Sequence, residues 1–320
     1  MTDADYKSTA VCILGMHRSG TSSVTRAVNL LGVYLGEDAQ VQHTGSDNPE
    51  GFWEHREILD LQVKLLARLN RGWDASAPLP TGWQESAAVR PFVERLRRVI
   101  TADFGEHPVW GWKDPRTCLL LPVWRKLLGE LNTGLTGIFV VRNPVEVASS
   151  LIRREPIPFE RALAIWFNYC AAAVRDGTGL PLAFLSYDKF LTSWEPELRR
   201  CTSALGLEWP KDPERLRENI QSFLKADLRH NKSEPELSPE TPAPVRELYR
   251  MLIEACGQST ARHDALHEMA SRLYADYGNG KSPGEFGTFA SEESSRRPSW
   301  RQRTWQRWQR SIRKRIGARP

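Results

Sequence analysis

The sequence predicts an α/β fold, in which a parallel β-sheet is flanked by helices on both faces and followed by a C-terminal helical extension. Short apolar runs rich in β-branched residues alternate with segments of helical periodicity, which is the pattern of βαβ units. A glycine-rich turn separates the first apolar run from the first helix, as in P-loop-like folds. Four strands are predicted on these grounds, at residues 11–15, 107–113, 137–142 and 180–188.

The helices follow from apolar spacing and from residues that begin or end helices. Gly32 ends the first helix, and residues 33–53, rich in glycine, predict an ordered surface loop. Pro115 ends the second strand, while Asn143 and Pro144 supply an N-cap and a first helical residue. Helices are therefore predicted at residues 21–32, 54–70, 85–103, 119–131, 145–154, 158–177, 190–207 and, as one or two helices, 245–277.

The chain divides by composition into a body and a basic tail. We predict an α/β domain at residues 1–242, a helical extension at 243–278, a flexible linker at 279–299 and a basic amphipathic helix at 300–320. The net charge is +5, but ten of the 44 Lys and Arg residues, and no acid, lie in residues 294–320. The remainder holds 34 basic and 39 acidic residues, so the body is mildly acidic.

Charge and cysteine patterns set the expected location and partners. The helix predicted at residues 300–320 carries one stripe of tryptophan and isoleucine on a cationic surface, which suits an anionic membrane surface. Docking of this stripe on the acidic body stays open, and nucleic acid is not an expected partner. The five cysteines form no C-x-x-C pair, and neither a signal peptide nor a membrane-spanning run is evident. We expect a cytoplasmic protein, peripheral at the inner membrane surface if this helix binds lipid.

The glycine-rich turn carries the main functional signal. Gly15 and Gly20 bracket four residues, as in a phosphate-binding loop, but Thr21 stands where a nucleoside triphosphatase carries a lysine. Loop N–H groups and the positive end of the following helix bind an anion, and Arg18 adds a cation inside the loop. The loop therefore suits a ligand with a 5′-phosphate and no γ-phosphate.

Three predicted strands end in residues that can bind an anion, namely Gly15, Lys113 and Arg142. The C-terminal ends of parallel strands meet at one edge of the sheet, where α/β proteins bind their ligands. One pocket for an anionic ligand is the simplest joint explanation.

Two motifs resemble those of sulfotransferases, of the bacterial type related to carbohydrate sulfotransferases. One is RSGT at residues 18–21, and the other is FVVRNPVEVASS, with Arg142 and Ser150 eight residues apart. The resemblance covers about residues 10–232 and implies the donor 3′-phosphoadenosine 5′-phosphosulfate (PAPS), with its 3′-phosphate on Arg142 and Ser150; Ser149 is an adjacent alternative. The implied ligands of the 5′-phosphosulfate are Gly15, His17, Arg18, Ser19, Gly20, Thr21 and Ser22.

Sulfonate transfer needs a base for the acceptor hydroxyl and a cation near the bridging oxygen. By resemblance Glu54 is the expected base, with Glu50 and His55 as competitors, and a purely electrostatic role of Glu54 at a helix N-terminus stays open. Lys113 is expected to stabilise the leaving group, or else to pair with a neighbouring carboxylate. His17 is expected to contact the sulfonate.

Other charged residues have less specific signals. Arg229 is expected in a basic flap over the 3′-phosphate, with a solvated charge run as the alternative. Arg116 either pairs with Asp114 or binds the acceptor. His263 and His267 are expected to form an exposed helical pair, and the reaction requires no metal.

The expected function is transfer of a sulfonate from PAPS to a hydroxyl of a carbohydrate or glycolipid by in-line displacement. Two alternatives stay open: a P-loop kinase or nucleotidase, and a membrane-associated nucleotide-binding module without catalysis. A kinase needs a phosphate-clamping lysine and a magnesium-binding carboxylate, so Thr21 argues against it.

Overall fold

The computed structural model of the chain describes residues 6–38, 40–42, 51–224, 236–258 and 263–279. Within these residues the strands are β1 (Ser8–Leu14), β2 (Val41–Gln42), β3 (Glu54–His55), β4 (Val109–Lys113), β5 (Thr133–Val141) and β6 (Leu182–Ser186). The helices are α1 (Thr21–Leu30), α2 (Arg56–Arg68), α3 (Val89–Phe104), α4 (Thr117–Glu130), α5 (Pro144–Ile152), α6 (Phe159–Asp176), α7 (Tyr187–Thr192), α8 (Trp194–Ala204), α9 (Pro213–Phe223), α10 (Ala243–Ala255) and α11 (Asp264–Gly278), with a 3₁₀ turn at Trp83–Glu85.

The predicted strands form one parallel sheet. Its order over the described residues is β4-β1-β5-β6, so β1 lies between β4 and β5. Cys12 of β1 is opposite Trp112 of β4 and Gly137 of β5, which fixes the register at the centre of the sheet. The parallel α/β fold expected from the sequence is confirmed.

Helices cover both faces of this sheet, as predicted. Alternate residues of β1 point to opposite faces, with Ala10, Cys12 and Leu14 in one hydrophobic cluster and Val11 and Ile13 in the other. The helices α2 to α6, α10 and α11 complete the first cluster, and α1, α7, α8 and α9 complete the second. The C-terminal ends of the strands are therefore left to loops, which is where such sheets bind ligands.

The predicted C-terminal extension belongs to the same hydrophobic core. The helices α10 and α11 pack on α6, and Leu248, Leu252 and Tyr277 are buried there. The Tyr277 hydroxyl donates a hydrogen bond to the Ser76 carbonyl oxygen, which ties α11 to the loop after α2. Residues 280–320, including the predicted basic helix, lie outside the described residues.

Three local differences from the predicted elements have physical causes. β2 lies in the predicted loop and pairs antiparallel with β3, which takes the first two residues of the helix predicted at 54–70. The helix α2 begins after His55, whose side chain caps it. The helix predicted at residues 190–207 is divided into α7 and α8 at Ser193, whose φ and ψ angles of −151° and 57° are not helical. The helix α9 is an additional element, capped by Asp212 and begun by Pro213.

The prediction that His263 and His267 form an exposed pair is wrong. Both side chains are buried, because α11 packs on α6. His267 Nδ1 lies 2.7 Å from the Val174 carbonyl oxygen, and the His263 ring is edge-on to Phe184 with the ring centres 4.7 Å apart. Burial lowers the pKa of His263, so its imidazole is neutral at neutral pH.

Three further features of the described residues concern membrane-spanning helices, metal sites and cysteines. None of their helices combines the length and the apolar character that crossing a bilayer requires. No group of three or more His, Cys, Asp and Glu side chains among them is arranged to hold a metal ion. All five cysteines are buried thiols.

Candidate active site

The phosphate-binding loop joins β1 to α1 at the C-terminal edge of the sheet. Gly15, Arg18 and Gly20 have positive φ angles of 139°, 69° and 86°, which glycine adopts most readily. Gly20 is the N-cap of α1; of the described side chains none caps this helix, and its first turn contains no acid. The N–H groups of that turn and the positive end of the helix therefore favour an anion beyond the loop.

Tyr187 packs against the loop from the end of β6. A Cβ atom on Gly20 would lie 2.0 Å from Cε2 of Tyr187, so only glycine fits at this position. The guanidinium carbon of Arg142 lies 5.0 Å from the centre of the same ring. Since Tyr187 directly follows β6, all four strands of the described parallel sheet contribute to this edge.

The two motifs predicted to bind separate phosphates are in contact. Arg18 Nε donates a hydrogen bond to Ser150 Oγ at 3.0 Å, and Arg142 Nη1 donates one to the Arg18 carbonyl oxygen, also at 3.0 Å. Ser150 is buried, whereas Ser149, the preceding residue of α5, is only half-buried. The structure therefore places Ser150, the predicted residue, beside the loop.

Arg142 is fixed by a buried acid on the following helix. Its Nε lies 3.1 Å from Glu146 Oε2, and the Glu146 side chain is fully buried. A charge-assisted contact of this kind holds the guanidinium in one orientation. Arg142 is thus positioned before any ligand arrives.

Lys113 and Glu54 form a buried ion pair beside the start of α1. Lys113 Nζ lies 2.8 Å from Glu54 Oε1 and 3.4 Å from Ser22 Oγ. Lys113 and Glu54 are 2% and 8% exposed, so water screens the pair only weakly. Glu54, the expected base, and Lys113, the expected leaving-group cation, are therefore paired. This contact also agrees with the alternative that Lys113 pairs with a carboxylate.

Glu54 lies in β3, directly before the N-cap of α2, and its carboxylate is paired with Lys113. The residue that caps α2 is His55, and its Nε2 lies 3.2 Å from Asp103 Oδ2 on α3. Burial lowers the pKa of His55, although the Asp103 carboxylate opposes this effect. His55, a competing base, faces α3 and not the phosphate-binding loop.

Asp114 is committed to the structure at the end of β4. Its two carboxylate oxygens accept hydrogen bonds from Gln62 Nε2 and from Arg116 Nη1, both at 2.8 Å. Gln62 Oε1 in turn accepts from Trp124 Nε1 at 3.0 Å. Of the two roles predicted for Arg116, the structure shows the pairing with Asp114.

His17 occupies an aromatic corner of the loop. Its ring is edge-on to Trp73 and Tyr169, with ring centres 5.5 and 5.7 Å away. Burial lowers its pKa well below the ordinary value, so the imidazole is neutral at neutral pH. Nearby cations lower the pKa further, namely Arg116, Arg154, Lys113 and Arg18. Its buried Nε2 has no hydrogen-bond partner within the part of the chain that the structure describes.

Three aromatic residues of the site lie outside the phosphate-binding motifs. Tyr169 on α6 donates a hydrogen bond from its hydroxyl to the Trp73 carbonyl oxygen at 2.6 Å, which fixes the loop after α2 beside His17. Trp73 and Tyr169 reach the site only through tertiary packing, so no local pattern reveals them. Tyr187 could be found from its position, because it directly follows the fourth predicted strand.

The structure brings together Gly15, His17, Arg18, Ser19, Gly20, Thr21, Ser22, Glu54, Lys113, Arg142 and Ser150. Arg229, with the proposed basic flap, and Glu50 lie outside the described residues.

Comparisons with known proteins add the following. No protein-family model matches the chain, and no curated protein matches it in sequence. Among solved structures, the sulfotransferase domain from the olefin synthase of Synechococcus PCC 7002 has a TM-score of 0.39 and 16% identity, covering 85% of this chain and 96% of that one. The sulfotransferase domain from the curacin biosynthetic pathway has a TM-score of 0.38 and 15% identity, covering 83% of this chain and 97% of that one. Likeness at this level carries no function across, so the function must be inferred from the residues of the site.

Proposed function

We propose that the chain transfers a sulfonate group from PAPS to a hydroxyl acceptor. The observation that carries this proposal is the hydrogen bond from Arg18 Nε to Ser150 Oγ at 3.0 Å. This contact joins a lysine-free phosphate-binding loop to a second cationic site at Arg142. Two adjacent anion sites suit a nucleotide with phosphates at both ends of its ribose better than they suit a nucleoside triphosphate.

The side chains and amides present fit this donor. The N–H groups at the start of α1, with the hydroxyls of Thr21 and Ser22, would hold the 5′-phosphosulfate. Arg142 and Ser150 would hold the 3′-phosphate through charge-assisted hydrogen bonds. The unpartnered Nε2 of His17 would contact a sulfonate oxygen, since a buried ring nitrogen gains by acquiring a partner.

The chemistry assigns one role to each member of the buried ion pair. Glu54 accepts the proton of the acceptor hydroxyl, whose oxygen bonds to sulfur as the bond from sulfur to the bridging oxygen breaks. The electron pair of the broken bond leaves with 3′,5′-bisphosphoadenosine, and Lys113 stabilises that negative charge. Since Lys113 Nζ lies 2.8 Å from Glu54 Oε1, protonation of Glu54 weakens their attraction and releases Lys113 toward the leaving group.

For the acceptor we propose a hydroxyl of a carbohydrate or glycolipid, supported by the motif resemblance. We further propose that the enzyme works in the cytoplasm and that residues 300–320 bring it to an anionic membrane surface, which would suit a lipid-linked acceptor.

The kinase or nucleotidase alternative is less well supported. Such an enzyme needs a carboxylate that faces the phosphate-binding loop and holds magnesium. Asp114 stands at a strand end beside the loop, but its two oxygens are bonded to Gln62 and Arg116. Thr21 also takes the place of the clamping lysine.

Calorimetry with the purified protein tests the proposed donor. We expect 3′,5′-bisphosphoadenosine to bind about 100-fold more tightly than ATP with magnesium, which corresponds to about 2.7 kcal/mol. Tighter binding of ATP would overturn the assignment. Transfer of labelled sulfonate from PAPS to a panel of glycan and glycolipid acceptors then separates an enzyme from a binding module.

Ser150→Ala should weaken binding of 3′,5′-bisphosphoadenosine about tenfold, because a hydroxyl that contacts charged groups is lost. Ser149→Ala is the matched control, since the same substitution one residue away should change the dissociation constant by less than about twofold. Calorimetry measures the dissociation constant of both variants. Equal dissociation constants would contradict the placement of the 3′-phosphate beside Ser150.

A further inference from the structure

Three buried thiols lie together beneath the phosphate-binding loop. Cys12 of β1, Cys118 of α4 and Cys170 of α6 are 0%, 0% and 2% exposed. All three belong to the hydrophobic cluster on the face of the sheet that α2 to α6, α10 and α11 cover.

One of these thiols faces the first backbone N–H group of the loop. Gly15 N–H donates a hydrogen bond to Cys118 Sγ, with the nitrogen 3.3 Å from the sulfur. Sulfur is a weak acceptor, but a buried N–H group left without any acceptor is destabilising.

The bonded residue, Gly15, is where the chain turns out of β1. Its φ angle is 139°, and a Cβ atom there would lie 3.0 Å from the Val140 carbonyl oxygen and 3.1 Å from Thr21 Cγ2. The direction of every later loop N–H group depends on this turn. Burial raises the pKa of Cys118 to about 12, so the acceptor is a neutral thiol that does not repel a phosphate.

We infer that Cys118 is a positioning residue of the phosphate-binding loop: its thiol holds the Gly15 N–H group so that the following amides converge on the bound phosphate. The inference rests on the proposed function for the identity of the ligand. The hydrogen bond between Gly15 and Cys118 does not depend on the proposed function.

Cys118→Ala should raise the dissociation constant of 3′,5′-bisphosphoadenosine about tenfold, because the loop loses the acceptor that fixes its first turn. The turnover number at saturating PAPS should change by less than about twofold, since no reacting group is altered. Cys118→Ser keeps an acceptor and should stay within about threefold of the wild-type affinity.

Cys201→Ala is the matched control. Cys201 is equally buried, accepts a hydrogen bond from Arg200 Nη2 at 3.4 Å, and lies in the hydrophobic cluster on the other face of the sheet. Both alanine variants should lower the melting temperature, but only Cys118→Ala should weaken nucleotide binding. Equal affinities in the two variants would overturn the inference.

Hydrogen exchange at the Gly15 amide, followed by NMR without ligand, gives a second readout. We expect exchange about tenfold faster in Cys118→Ala than in wild type, and no change in Cys201→Ala. Unchanged exchange in Cys118→Ala would refute the role of the thiol. If wild-type protein binds no nucleotide at all, the proposed function fails, while the exchange measurement still decides the role of Cys118.

Discussion

Gly20→Ala is expected to abolish binding of 3′,5′-bisphosphoadenosine in the concentration range where wild type saturates. The new Cβ would lie 2.0 Å from the Tyr187 ring, and the φ angle of 86° is strained for alanine. Either Tyr187 or the loop must move, and both are held at the edge where Arg142 contacts Tyr187. We expect affinity to fall at least about 100-fold and stability by about 3 kcal/mol. Calorimetry and urea unfolding measure the two effects.

Gly32→Ala provides the control for backbone strain alone. Gly32 has a φ angle of 102°, but a Cβ atom there meets nothing within 4 Å. This variant should lose about 1 kcal/mol of stability and retain wild-type nucleotide affinity. Similar affinities in the Gly20 and Gly32 variants would show that the contact of Tyr187 with the loop does not shape the binding site.

Lys113→Met should lower the turnover number about 100-fold to 1000-fold, because the leaving group loses its stabilising cation. The affinity for 3′,5′-bisphosphoadenosine, measured by calorimetry, should also fall about tenfold, because the negative charge that Lys113 stabilises remains on the 5′-phosphate of this product. The substitution also leaves the Glu54 carboxylate buried without its partner at 2.8 Å, which should cost about 3 kcal/mol of stability. Steady-state kinetics at saturating PAPS and urea unfolding check the other two results.

The double variant Lys113→Met with Glu54→Gln separates catalysis from folding. Without a buried charge on either side, most of the lost stability should return, whereas turnover should stay at least as low as in the single variant. Recovery of turnover together with stability would mean that Lys113 acts only as a structural partner of Glu54.

Local patterns were sufficient for the phosphate-binding loop and for the strand ends. The loop between β1 and α1 follows from one apolar run, two glycines and one helical segment, all within a short stretch of chain. Lys113 and Arg142 could be assigned to one edge because parallel strands place their C-terminal ends together. These inferences need only local spacing and one topological rule.

Contacts between distant segments were not predictable in the same way. Glu54 meets Lys113 across 59 residues because the short strands β2 and β3 pair, which no local pattern indicated. His267 seemed suited to an exposed helical face, but α11 buries that face on α6. The thiol of Cys118 likewise reaches Gly15 through tertiary packing, across 103 residues of sequence.

The central claim is that one ligand is held at two separate phosphates, at the start of α1 and at Arg142 with Ser150. The most direct test compares the affinities of wild-type protein for 3′,5′-bisphosphoadenosine and for adenosine 5′-phosphate in one calorimetric series. We expect the additional 3′-phosphate to tighten binding about 100-fold, as two or more charge-assisted hydrogen bonds would. Equal affinities for the two nucleotides would contradict the account, because the site at Arg142 would then bind no part of the donor.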